Sequence, residues 1–284
     1  MEPYPLICVL IHVMSEKALA PIGIFDSGIG GLTVAKAVKN ILPNEKIIYF
    51  GDTAHLPYGD KSTASIQAYS IKIADVLLKA QCKLILIACN SASTAAFELV
   101  RAYVASKAGV FNVIDPVVNY LREHHSGQKV GLIGTKQTVN SGVYRQKVDS
   151  LNENIQFVSL ATPLLAPMIE EGFHKNEISH GIIESYLQHS DLKDLDALIL
   201  GCTHYPLIKK QVKDFYPEHV EVIDSSEIVA RATKAYLELN NLLNREAHQE
   251  RDRFLVSDYT VGFEQATHLF FGKAVTLEKY PLWE

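Results

Sequence analysis

The chain reads as an α/β protein of two similar domains, each a mostly parallel sheet flanked by helices. Three observations predict this. Short apolar runs rich in Ile, Leu and Val alternate with segments whose apolar residues recur at helical spacing, the pattern of βα units. The runs are continuously apolar, as parallel strands covered on both faces are. Two of them, "LILIACNSAST" (84–94) and "LILGCTHYP" (198–206), echo each other, each ending in a cysteine followed by small polar residues. A length of 284 residues suits two domains of ordinary size.

Composition excludes several classes. With 48% hydrophobic and 21% charged residues the chain has the make-up of a soluble globular protein. A net charge of −5 gives no electrostatic footprint for nucleic acid, and no Lys/Arg run marks an anionic membrane surface, so neither partner is expected. The four cysteines, Cys8, Cys82, Cys89 and Cys202, are too few and scattered for a disulfide framework. None forms a CxxC and no His/Cys cluster has zinc-ligand spacing, so reduced thiols in a cytoplasm and no metal are expected. The apolar stretch "LICVLIHVM" (6–14) lacks a basic flank, carries His12 and is shorter than the ~20 residues a membrane span needs. It reads as an extra leader, with Met14 an equally good start.

From Pro21 the elements follow in order. "PIGIFDSG" is a strand ending at Asp26, and Leu32, Ala35, Val38 and Leu42 then mark a helix closed by Pro43. "KIIYFGDTAHLPYG" (46–59) is a strand and loop. Residues 66–80 form an amphipathic helix, and 84–88 a third strand. The next helix runs to about Lys107, with Ser91 or Ser93 as its cap. "VFNVIDPV" reads as a strand, with Asp115-Pro116 a turn where the chain crosses between domains.

The second half starts with "KVGLIGTKQTVNSGVY" (129–144), which matches 46–59 in outline: strand, Gly, Thr, polar loop, Tyr. "IQFVSLATPLLAPMIEEG" is a strand, a Pro-punctuated loop and a short helix. Residues 178–189 are helical, 197–200 a strand, 208–215 a helix opened by Pro206, and 219–226 contain the last strand of this half. A helix over 228–243 leads back to the first half. After a charged connector (245–253), "RFLVSDYTVGF" and "AVTLEKY" read as edge strands flanking a helix at 263–271. The domains are then 1–113 with 226–284, of which 1–20 is the leader, and 114–225.

Both echoing stretches deliver a thiol to the carboxyl edge of a strand, where open α/β sheets bind ligands and a following helix presents free N–H donors. Two such edges face to face would hold a small anion between two sulfurs. Inverting an α-carbon needs a base on one face and an acid on the other, and a thiolate opposite a thiol meets that need. A free thiol titrates near ~8.5, so holding one as thiolate at neutral pH costs on the order of 1–3 kcal/mol. Helix amides and a protonated His204 are the expected sources.

"GIFDSGIGG", "YFGDTAHLPYG", "ACNSA" and "GCTHYP" together, in this order over residues 22–226, resemble the glutamate racemases of the cofactor-independent amino-acid racemase family. The resemblance implies a pair of α/β domains with the active site in the interdomain cleft, and D-glutamate supply for peptidoglycan synthesis, with no cofactor. It implies Cys89 and Cys202 as the two catalytic thiols, Asp26 beside Cys89, and His204 and Glu170 on the Cys202 side, with the adjacent Glu171 an equal candidate for that acid. Asp26, Ser27, Pro57, Tyr58, Gly59, Asn90, Ser91, Thr135, Thr203 and His204 match substrate-lining positions. Ser91 stands where the family often has Thr and keeps the hydroxyl. Their hydroxyls and amides suit a substrate with two carboxylates and an ammonium. Small-molecule chemistry and a homodimer are the expected associations.

Blander roles compete at each position. Cys8 and Cys82 read as core packing. Asp26-Ser27 suits a helix cap, His204 a helix start, Tyr58 packing, and Asp52 either a supporting carboxylate or a turn. "DSGIGG" lacks the glycine spacing and the Lys of a nucleotide loop. Two other functions stay open: a relative acting on aspartate, a hydantoin or a maleate-like diacid, against which "GCTHYP" argues, and a non-catalytic cleft-binding or regulatory protein.

Overall fold

The computed structural model describes residues 17–246 and 251–284. The apolar leader at 6–14 and part of the charged connector lie outside the described residues. The first strands are β1 (Ile22–Asp26), β2 (Ile47–Gly51), β3 (Leu84–Ile87) and β4 (Gly109–Asn112), with helices α1 (Leu32–Ile41), α2 (Thr63–Lys79) and α3 (Asn90–Val104) between them. α4 (Ile114–His124) leads to a second sheet of β5 (Lys129–Gly134), β6 (Gln156–Ala161), β7 (Ala197–Gly201) and β8 (Glu221–Asp224). Between those strands run α5 (Lys136–Asn140), α6 (Val143–Asp149), α7 (Leu165–Glu170), α8 (Glu177–Leu187) and α9 (Lys209–Phe215). α10 (Ser225–Leu239) returns the chain, and β9 (Arg253–Val256), α11 (Val261–Phe271) and β10 (Leu277–Lys279) complete the first sheet.

Every strand pairing is parallel. The first sheet has the order β10-β9-β2-β1-β3-β4 and the second β6-β5-β7-β8. In each, the chain moves outward from its first strand to one side and then resumes on the other. The reversal falls between β1 and β3 in one sheet and between β5 and β7 in the other, and at such switch points the loops diverge and leave a crevice. Asp26 and Cys89 end the strands of the first crevice, and Thr135 and Cys202 those of the second.

Burial follows the pleat. Ile22, Ile24, Tyr49, Leu84 and Leu86 face a core that continues into Val130, Leu132, Leu198 and Leu200 of the second sheet. Phe25, Ile48, Phe50, Ile85 and Ile87 point the other way, under Ile73 and Leu77 of α2 and Ala92, Ala96 and Val100 of α3. Alternation on two buried faces is why these strands read as unbroken apolar runs.

The structure corrects four expectations. Asp115-Pro116 sits in the first turn of α4, where a proline costs no intrahelical hydrogen bond and Asn112 Oδ1 accepts from the Ile114 and Asp115 N–H groups. Residues 129–144 correspond topologically to β1 and its loop, since β5 is the first strand of its sheet, and the likeness to 46–59 was only a generic strand-and-turn pattern. The polar stretch after Gly134 is helical, capped by Thr135. β9 lies inside the first sheet, between β2 and β10.

At the edge opposite the crevice, Lys83 just before β3 is fully buried with Nζ 2.6 Å from Glu45 Oε2. It also donates to the Ala18 and Leu242 carbonyls, while Glu45 accepts from the Asn244 N–H. The pair thus ties the stretches at Ala18 and Leu242–Asn244 together beneath the strand that leads to Cys89. Replacing Lys83 by Met takes the cation away from a buried carboxylate and should lower stability by about 3–5 kcal/mol, read from urea unfolding. A loss below about 1 kcal/mol, the worth of an exposed pair, would show the clamp to be incidental.

Candidate active site

Cys89 follows β3 and is itself the N-cap of α3, its sulfur accepting from the Ala92 N–H at 3.4 Å. Neither Ser91 nor Ser93 fills that place. Ser91 turns toward the second sheet, and Ser93 donates back to the Ile87 carbonyl. The Cys89 thiol points to Ser27 Oγ at 3.7 Å. Cys202 follows β7, with its sulfur 3.5 Å from His204 Nδ1. His204 Nε2 meets Glu170 Oε1, at the end of α7, at 2.8 Å. Glu171 is exposed and makes no such contact, so Glu170 is the carboxylate at the imidazole.

The two loops meet because Gly30 lets them. A Cβ on Gly30 would fall 2.5 Å from the His204 ring and 2.7 Å from Thr203 Oγ1, and one on Gly31 would fall 2.5 Å from Asp26 Cβ. Gly30 therefore serves the approach of the second sheet's loop to the first, and Gly31 makes room for Asp26 within the same turn. Thr33 Oγ1 donates to the Thr203 carbonyl, and Thr203 Oγ1 points to Asp26 Oδ1 at 3.4 Å. Asp26 is fully buried and also accepts from the Gly28 and Gly31 N–H groups.

A second seam crosses the crevice. Ser91 Oγ lies 2.8 Å from Thr135 Oγ1, which is 3.1 Å from Thr138 Oγ1. Gly59 packs so closely on Thr135 that a Cβ there would come within 2.8 Å of it. Pro57, Tyr58 and Gly59 form one wall, entered through a cis Leu56-Pro57 bond. The Tyr58 hydroxyl donates to Asp52, a buried carboxylate that also accepts from Ser257 and from the Trp283 indole. Asp52 is thus a supporting carboxylate.

Cys89 and Cys202 line one cavity of about 20 Å³, together with Ser27, Pro57, Tyr58, Gly59, Asn90, Ser91, Thr135, Glu170, Thr203 and His204. Asp26 lies behind this lining and reaches it through Thr203. The volume is about that of one water, so an amino acid requires the walls to part. Sequence reasoning missed Thr138, which continues the hydroxyl seam, and Ala166 and Gly201 of the lining. Thr138 had a signal, since it stands three residues after the cap Thr135; the other two carry no polar group to notice.

The two thiols have differently charged neighbours. Burial, reinforced by the Asp26 carboxylate, pushes the Cys89 thiol up to about 12, outweighing the Ala92 amide and Ser27. The Ala92 amide therefore does not bring this thiol down, and Cys89 holds its proton at neutral pH. At His204, burial works against charge, but the Cys202 sulfur and Glu170 carboxylate prevail and hold it well above its ordinary value. An imidazolium thus sits within reach of Cys202, able to balance a thiolate there. Burial also raises the Asp26 carboxyl, opposed by His204 and the two glycine amides.

The switch points of two parallel sheets each present one thiol to a shared cavity, and the chain belongs to the Asp/Glu/hydantoin racemase family, which residues 32–233 match. It is 38% identical to the glutamate racemase of Chlorobaculum parvum over 262 residues, covering 91% of this chain and 96% of that one. Identity to a glutamate racemase of Thermus thermophilus is 43% over 227 residues, covering 80% and 83%. The crystal structure of glutamate racemase from Francisella tularensis in complex with D-glutamate is 38% identical, with a TM-score of 0.86 over 94% of this chain and 99% of that one. Among the described residues no helix is long and apolar enough to cross a membrane.

The raised His204 has a consequence for stability. A group whose pKa is higher folded than unfolded stabilises fully below its unfolded value, about 6.5, and loses that contribution as pH rises through the folded one. Glu170→Gln removes the charge that sustains the imidazolium. Wild type should therefore exceed this variant in urea stability near about pH 6, with the gap closing as pH rises above the folded value. A gap independent of pH would mean that Glu170 does not hold His204 charged.

Proposed function

We propose that this chain interconverts L- and D-glutamate by two-base proton transfer between Cys89 and Cys202. The observation that carries the reading is the pair of buried thiols, delivered by topologically equivalent strands of two sheets to one cavity. In one direction a thiolate takes the α-proton, breaking C–H and forming S–H, while the opposite thiol gives its proton to the other face of the carbanion. The reverse reaction exchanges the roles. In the free protein Cys89 holds its proton, and Cys202 lies beside the His204 imidazolium, which would balance a thiolate there. Glu170 and His204 manage the proton at Cys202, and Asp26 supplies negative charge near Cys89 and orients Thr203.

The lining groups Ser27, Asn90, Ser91, Thr135 and Thr203, with the Tyr58-Gly59 wall, give the short donors that a dicarboxylic amino acid needs. The relatives named above carry glutamate as their substrate, which supports glutamate here. Supply of D-glutamate for peptidoglycan, a cytoplasmic location and a homodimer belong to the same reading, as does a division into 1–113 with 226–284 and 114–225.

Replacing either Cys89 or Cys202 by Ala should abolish racemisation, with a loss of at least about 10³-fold in kcat followed by polarimetry. Full turnover by either single variant would refute the two-thiol scheme. Turnover of aspartate exceeding that of glutamate would change the substrate and leave the scheme.

A further inference from the structure

Tyr144, on α6 of the second sheet, is 2% exposed and donates from its hydroxyl to Asn90 Oδ1 at 2.8 Å. Asn90 is the first residue of α3, immediately after Cys89, and lines the cavity. Among the described residues the tyrosine hydroxyl has no second acceptor. It must spend its proton on the amide oxygen, since a flipped amide would leave the hydroxyl proton buried and unused. Burial keeps this phenol well above its ordinary range, so it stays a donor at all relevant pH. What remains of the amide is Nδ2, which is buried and has no hydrogen-bond partner among the described residues. A buried donor left unmatched is unfavourable, and a carboxylate oxygen arriving in the cavity would satisfy it.

We propose that Tyr144 is a positioning residue that locks the Asn90 amide with its N–H₂ toward a substrate carboxylate, so that a helix of one sheet sets the polarity of the other sheet's half of the site. This rests on the racemase reading above. The lock also rejects a wrong orientation, because an amide oxygen turned to the cavity would repel the carboxylate.

The test is steady-state kinetics of Y144F with L- and D-glutamate, beside N90A and the double variant. Loss of the hydroxyl frees the amide to flip. KM should rise about tenfold for both enantiomers with kcat within a few-fold of wild type, and Y144F should add nothing in the N90A background. Unchanged KM in Y144F, or an additive effect in the double variant, would overturn the proposal. Should Y144F not fold, N90D keeps the Tyr144 hydrogen bond but turns an oxygen to the cavity, and its KM should rise at least about tenfold. An unchanged KM in N90D would overturn the proposal equally. Wild type without glutamate turnover would instead sink the functional reading itself.

Discussion

The seating of the Thr203-His204 turn against the Gly30-Gly31 turn is the contact on which the site depends. It brings the carboxyl edges of two independent parallel sheets together, and with them one thiol from each. A methyl group on Gly30 would collide with Thr203 and His204, so the loops would have to separate, while one on Gly31 would collide with Asp26 inside the first loop. The same contact lets a carboxylate of the first sheet, Asp26, act on residues of the second. Strand topology supplies the rest. Because β1 and β3 diverge at one switch point and β5 and β7 at the other, both crevices open toward the same cavity.

Symmetry of topology does not extend to charge. Cys89 is surrounded by apolar packing and faces Asp26, so its proton is held. Cys202 faces an imidazolium sustained by Glu170. Two sulfurs at equivalent strand ends thus have different surroundings, supplied by different elements: the end of β1 on one side, the end of α7 on the other.

Much of this was legible in the sequence because parallel strands buried on both faces leave unbroken apolar runs, and Cys89 and Cys202 end two of them. The placement of Glu170 at His204, rather than Glu171, depended on which residue of the last turn of α7 faces inward, which short helices show poorly. α4 was hidden by Asp115-Pro116, since a proline is as compatible with a first helical turn as with a loop. The cap of α3 was misassigned because a cysteine is not an ordinary capping residue, yet its sulfur takes the Ala92 amide. The equivalence of β5 with β1 was obscured because strand, glycine and threonine recur after many strands. Tyr144 left no trace, because its meaning lies in one hydrogen bond to a residue 54 positions away.

The most direct test of two thiols acting on opposite faces of one carbon is the fate of solvent deuterium. Starting from L-glutamate in D₂O, the account predicts that at early turnover the D-glutamate formed carries deuterium at the α-carbon while the remaining L-glutamate stays unlabelled. Equal label in both enantiomers from the first turnovers, or product that keeps the original hydrogen, would contradict it.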